Sequence, residues 1–193
     1  MAKTRPRGRR EVVDALLDSA RKLMAERGPT VALRDIADDA GVNFGLLYHY
    51  FGTKDQLVDV VYRAGAESAA ERLQSAEHLE DALDDLMRAG DGTAARLIGW
   101  AVLEGRGASP AFRDSPALDR LADLMRADAE AAGASVSDED VRVFAAFAMV
   151  IALGWRLFAP TALLAAGLDA DPARHTDRIL EYVRELATSA TEG

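Results

Sequence analysis

The chain has no cysteine among its 193 residues. A disulfide framework, a thiolate zinc site, an iron–sulfur cluster and a cysteine nucleophile are thereby excluded. There are three histidines, His49, His78 and His175. His78 has Glu77 beside it and Asp81 three residues on, but no second histidine at ligand spacing, so no metal site is expected. No GxSxG, P-loop or GxGxxG motif is present, and neither catalysis nor a cofactor is expected. The apolar run from Phe144 to Trp155 has 12 residues, where a membrane span needs roughly 18 or more. No membrane partner is therefore expected. The basic N-terminus lacks the apolar stretch of a secretory signal, and a cytoplasmic location is the expectation. Period-2 segments of useful length are missing too, which argues against a sheet.

What is present is an ordinary globular composition, 49% hydrophobic and 28% charged, with enough apolar side chain for a real core. Formal net charge is −9. Its distribution is uneven. Residues 1–10 hold Lys3, Arg5, Arg7, Arg9 and Arg10 and no acid. Residues 1–63 hold 11 basic and 9 acidic side chains, and residues 64–193 hold 12 basic and 23 acidic. An acidic body repels a polyanion and turns the basic end toward it. Charge alone does not carry a nucleic-acid reading.

Helical periodicity runs through almost the whole chain, and about nine helices are predicted. Val13, Leu16, Leu17, Ala20, Leu23 and Met24 recur at helical spacing until Gly28-Pro29. Short helices follow over 33–40 and about 44–51, separated by Gly41. Thr53 is a good N-cap for a helix from Lys54 into the seventies. Helices are predicted over 79–89, 93–104 and 116–132, with a Gly/Ser/Pro-rich loop over 105–116. Ser137-Asp138-Glu139-Asp140 opens the most apolar helix, which Pro160 is expected to break near Phe158. Asp171-Pro172 is expected to open the last helix. The predicted organisation is a flexible basic arm at 1–10, a DNA-binding domain at 11–53 and a ligand-binding and dimerisation domain at 54–193.

Residues 33–51 have the layout of a helix-turn-helix, whose second helix lies in the DNA major groove. Ala37 is small enough for close helix approach, Gly41 suits the turn, Val42 plugs the core and Asn43 caps the second helix. Leu47, Tyr50 and Phe51 would face inward. Phe44, Gly45, Tyr48 and His49 would face outward. Gly45 is costly inside a helix unless something comes close, and here that would be the duplex.

The stretch TVALRDIADDAGVNFGLLYHYFGTKDQL, Thr30 to Leu57, resembles the TetR (tetracycline-repressor-like) family. The positions carrying the resemblance are Thr30, Ile36, Ala37, Ala40, Gly41, Val42, Gly45, Leu47, Tyr48, Tyr50, Phe51, Lys54 and Leu57. It covers about residues 11–60. The family commonly has Ser or Thr where Asn43 stands. The resemblance implies phosphate contacts for Tyr48 and Lys54, and base-reading positions for Asn43, Phe44, Gly45, Leu46 and His49. Arg34 is placed to reach a phosphate or a guanine edge, or to pair with Asp38 one turn on. Phe44 could only pack on a thymine methyl.

For the rest of the chain the family implies a small-molecule site and a homodimer interface. The helix after Ser137 is apolar nearly all round, so it is buried on more than one side. Its candidate pocket residues are Phe144, Phe147, Ile151 and Trp155, joined by Trp100, Leu103, Leu121 and Met125. Its candidate dimer residues are Ala145, Ala148 and Ala152, joined by Ile179, Tyr182, Val183 and Leu186 of the last helix. Polar groups are few there, so an apolar or amphipathic effector is expected. The function read from the sequence is a ligand-released repressor binding a palindromic operator as a homodimer. The alternative is a small-molecule-binding or protein-interaction module with a vestigial helix-turn-helix.

Overall fold

The computed structural model of the chain describes residues 8–90, 92–105 and 115–191. Most of the basic arm and of the 105–116 loop therefore lies outside the described residues. Among those described there are nine α-helices and no strand: α1 Arg9–Arg27, α2 Leu33–Ala40, α3 Phe44–Phe51, α4 Lys54–Leu73, α5 Leu79–Arg88, α6 Thr93–Leu103, α7 Pro116–Ala131, α8 Asp138–Ala165 and α9 Thr176–Thr191. The all-α architecture is as predicted.

The chain divides into two compact units. One takes in the chain up to Gly65 and again from Arg96; the other takes in Ala66–Ala95 and the chain from Ser115. The first compact unit thus runs past residue 53. The reason is packing: Leu57, Val58, Val61 and Tyr62 of α4 and Leu97 and Ala101 of α6 are buried in one cluster with α1, α2 and α3.

In that first cluster Leu16, Ala20, Leu23 and Met24 of α1 meet Ile36, Ala37 and Ala40 of α2 and Leu47 and Phe51 of α3. Each large side chain buried there is worth about 1.5–3 kcal/mol. Gly41 ends α2 in the left-handed region, φ 68°, and the Val42 amide donates back to the Ala37 carbonyl at 2.9 Å. This closing turn satisfies carbonyls that α2 would otherwise leave unpaired.

The second cluster gathers Leu79, Ala82, Leu83 and Met87 of α5, Leu121, Leu124 and Met125 of α7, Val141, Phe144, Ala145, Ala148 and Ala152 of α8, and Leu180, Val183 and Ala187 of α9. Ser137 caps α8, its Oγ accepting from the Asp140 amide at 3.1 Å. Three acids, Asp138, Glu139 and Asp140, fill the first turn, where the helix dipole favours them.

Two boundaries differ from expectation. Helix α8 runs on through Pro160 to Ala165. A proline removes one intrahelical bond and crowds the preceding turn. Here its ring is exposed while Ala159 and Leu163 are buried on either side of it, so packing holds the helix across the defect. Asp171-Pro172 opens a 3-10 turn, Pro172–Arg174, with Asp171 accepting from the Ala173 amide at 3.0 Å, and α9 starts only at Thr176. Continuous through Pro160, α8 is long and apolar enough by length and composition alone to cross a bilayer, contrary to the expectation from uninterrupted runs. A core or interface helix passes the same test.

Candidate nucleic-acid interface

Helix α3 is only eight residues long, below the length at which an isolated helix holds itself in water. Its order comes from its ends and one buried side. At the start, Asn43 Oδ1 accepts from the Gly45 amide at 2.7 Å. A Cβ added at Gly45 would stand 3.1 Å from that same oxygen and meet nothing else nearby. The glycine is therefore explained within the fold, because it lets the cap close. Leu47 and Phe51 are buried, and Tyr50 packs against the same cluster.

The other side of α3 is open. Asn43, Phe44, Gly45, Leu46, Tyr48 and His49 are all exposed, Tyr48 by 60% and Phe44 by 40%. Lys54, half-buried, begins α4. It follows a reciprocal cap in which Thr53 Oγ1 accepts from the Gln56 amide at 3.3 Å and Gln56 Oε1 accepts from the Thr53 amide at 2.9 Å. The free amides of such a helix start favour an anion.

Three contacts around this face were not legible in the sequence. Exposed Arg34 lays its guanidinium 5.6 Å from the centre of the Phe44 ring, where pairing with Asp38 had been an open alternative. The Arg9 guanidinium lies 5.9 Å from the Tyr50 ring centre, linking the start of α1 to α3. Lys22 Nζ donates to Asp39 Oδ1 at 2.9 Å. That hydrogen bond, with the carboxylate charge, raises the Lys22 pKa above its ordinary value. It also offsets one of the acids on α2. All three join residues far apart in the chain, or on different helices, so no local spacing announces them.

The profile of the bacterial regulatory proteins of the tetR family matches residues 16–61. The HTH-type transcriptional repressor Rv3405c of Mycobacterium tuberculosis is 37% identical over 165 residues, covering 85% of this chain and 82% of that protein. The chain belongs to the tetR family of bacterial regulatory proteins. As a helix-turn-helix member of that family it is a DNA-binding transcriptional regulator. KstR2 of Rhodococcus jostii is 51% identical, but over 49 residues only, 25% of this chain and 24% of that protein. Two solved structures share the fold. A tetR-family regulatory protein from Rhodococcus RHA1 gives a TM-score of 0.70 at 17% identity, over 93% of this chain and 98% of that one. A transcriptional regulator from Saccharomonospora viridis in complex with choline gives 0.64 at 19%, over 90% and 97%.

In the second unit of this tetR-family regulator, Leu121, Met125 and Phe144 are buried, and Phe147, Ile151 and Trp155 pack against the same core. The Trp155 indole N–H donates to Thr176 Oγ1 at 3.1 Å. Trp100 belongs to the first unit, where its ring lies 3.3 Å from the place a Cβ on Gly28 would take. Leu103, in the same unit, is 79% exposed. Ala145, Ala148, Ala152 and Val183, expected at a dimer interface, are buried in the core of the second unit, where the small size of the three alanines serves close packing. The apolar side chains that α8 and α9 leave uncovered are Val143, Val150, Phe158, Leu164, Tyr182 and Leu186. Ile179 is half-buried against the core.

Proposed function

We propose that this regulator is a repressor that binds a palindromic operator as a homodimer and leaves it when a small apolar or amphipathic effector binds the second unit. The observation that carries the reading is the two-sidedness of α3, with Leu47 and Phe51 buried behind a face of six exposed residues. In this reading Tyr48 and Lys54 hold phosphates. Asn43, Phe44, Gly45, Leu46 and His49 lie at base edges, with Arg34 beside them. Phosphate contacts position the protein and base contacts specify the site.

The uncovered residues of α8 and α9 support dimerisation. Val143, Val150 and Phe158 recur at intervals of seven and eight, which keeps them on one side of a helix. Tyr182 and Leu186 are one turn apart. A twofold dimer presents two recognition helices about 34–36 Å apart, one turn of the duplex. The relative named a repressor favours repression over activation. The choline complex of the Saccharomonospora viridis regulator, whose fold this chain shares, favours a small effector. The proposed effector site is the apolar interior around Leu121, Met125, Phe144, Phe147, Ile151 and Trp155. An effector that weakens DNA binding must itself be bound more weakly by the DNA-bound protein, by the same factor.

Selection of bound duplexes from a random pool at physiological salt tests this. A palindrome with half-sites about one helical turn apart is expected. Salt-sensitive binding with no enriched sequence would instead point to a module whose helix-turn-helix no longer reads bases.

A further inference from the structure

The outward start of α3 is poor in groups that read bases by hydrogen bonding. Asn43 has its oxygen engaged by the Gly45 amide, so capping competes with the paired donor and acceptor that asparagine normally presents to adenine. Gly45, Phe44 and Leu46 bring no polar side-chain atom. The strong hydrogen-bonding side chain next to this apolar stretch is Arg34, exposed on α2 and held over Phe44.

Two chemistries are thus placed side by side. An arginine fork matches guanine O6 and N7, and the thymine 5-methyl is the apolar feature of the major groove. The guanidinium lies 5.6 Å from the ring centre, less than two base-pair rises of about 3.4 Å each. The pair can therefore address two neighbouring base pairs. Attraction between cation and ring settles Arg34 before DNA arrives, so less side-chain freedom is lost on binding.

We infer that Phe44 and Arg34 act as one reader of a thymine adjacent to a guanine in each operator half-site. Phe44 packs on the thymine methyl, and Arg34 donates to guanine O6 and N7. The inference rests on the operator reading proposed above and adds the chemistry of the site it recognises.

The test uses the unaltered full-length protein and the selected operator. Thymines are replaced one at a time, in both half-sites, by deoxyuridine, which removes only the methyl. One position is expected to lose about fourfold in affinity per half-site. At the neighbouring guanine, 7-deazaguanine removes N7 and is expected to weaken binding of the unaltered protein. The same change should leave Arg34→Ala unaffected, and Phe44→Ala should no longer respond to deoxyuridine. Tolerance of deoxyuridine at every thymine overturns the inference, and so does a uniform loss across all sequences in Arg34→Ala, the behaviour of a phosphate contact. A palindrome without a thymine–guanine step removes this reader and leaves the operator reading standing. No palindrome at all removes both.

Discussion

Arg156 Nη1 of α8 lies 2.9 Å from the main-chain oxygen of Gly90, just beyond the end of α5. Its Nη2 donates to the carbonyls of Met87, at 3.2 Å, and of Ala89. These are the unpaired carbonyls of a helix end, where a cation also meets the negative end of the dipole. Arg156→Ala is expected to lower stability by about 1.5–3 kcal/mol, the range for hydrogen bonds to a charged group. Arg156→Lys should recover part of this, since one ammonium cannot reproduce the planar fork. Urea unfolding of both variants measures it, and unchanged midpoints would show the contacts to be worth nothing.

Asn43 gives a second prediction, one that separates folding from recognition. Asn43→Ala is expected to cost about 1 kcal/mol through loss of the cap on α3. Asn43→Ser keeps a capping oxygen and should restore stability. If operator affinity stays low in Asn43→Ser while its melting temperature recovers, the free amino group of Asn43 contacts DNA.

His78 sets a pH dependence. Its Nδ1 lies 2.9 Å from Asp128 Oδ1, and Asp128 Oδ2 accepts from the Leu79 amide at 2.8 Å, tying the start of α5 to α7. The hydrogen bond to Asp128, and then its charge, raise the His78 pKa above 6.5. A raised folded-state pKa stabilises fully below the unfolded value and is lost as pH rises through the folded one. The melting temperature of the native protein is therefore expected to fall, relative to a His78→Asn variant, as pH is raised from about 6 upward. Identical profiles in the two proteins would remove the effect. The side chain is well exposed, so the difference is expected to be small.

The uncovered face of α8 predicts an assembly phenotype. Val150 and Phe158 are 63% and 65% exposed, so a charge there costs a lone protomer little. Val150→Asp and Phe158→Asp are expected to keep their helical content, sediment as monomers and bind operator weakly. Ala148→Asp, by contrast, puts a charge into the protomer's own core and should unfold it. Dimeric sedimentation of the first two variants would send the interface elsewhere.

Lys54→Ala is expected to weaken binding about equally for all duplexes and to reduce the slope of affinity against salt by about one. Sequence preference, read by duplex selection, should not change.

Much of the candidate site was legible in the sequence because it is built from local signals. Leu33–Ala40 and Phe44–Phe51 begin and end where a turn glycine, an asparagine cap and the Gly52-Thr53 break put them. The inward set of Leu47 and Phe51 follows from helical spacing. What was not legible is tertiary. Small size marks Ala145, Ala148 and Ala152 as residues for close approach, but spacing cannot say whether the approaching helix is their own protomer's or a partner's. Pro160 reads as a stop because its local cost is certain, whereas the burial of Ala159 and Leu163 that overrides it lies in the packing. The first unit likewise extends past residue 53 through side chains of α4 and α6 that no local pattern assigns to it.

Trp100 and Trp155 are the chain's two tryptophans, and they fall one in each unit. One indole lies against Gly28, and the other is hydrogen-bonded to Thr176. The protein thus carries an intrinsic optical reporter in each half. With Trp155→Phe the remaining emission follows the DNA-binding unit alone, and with Trp100→Phe it follows the second unit. Titrating operator against one variant and small molecules against the other reads the two binding events separately, without an attached label.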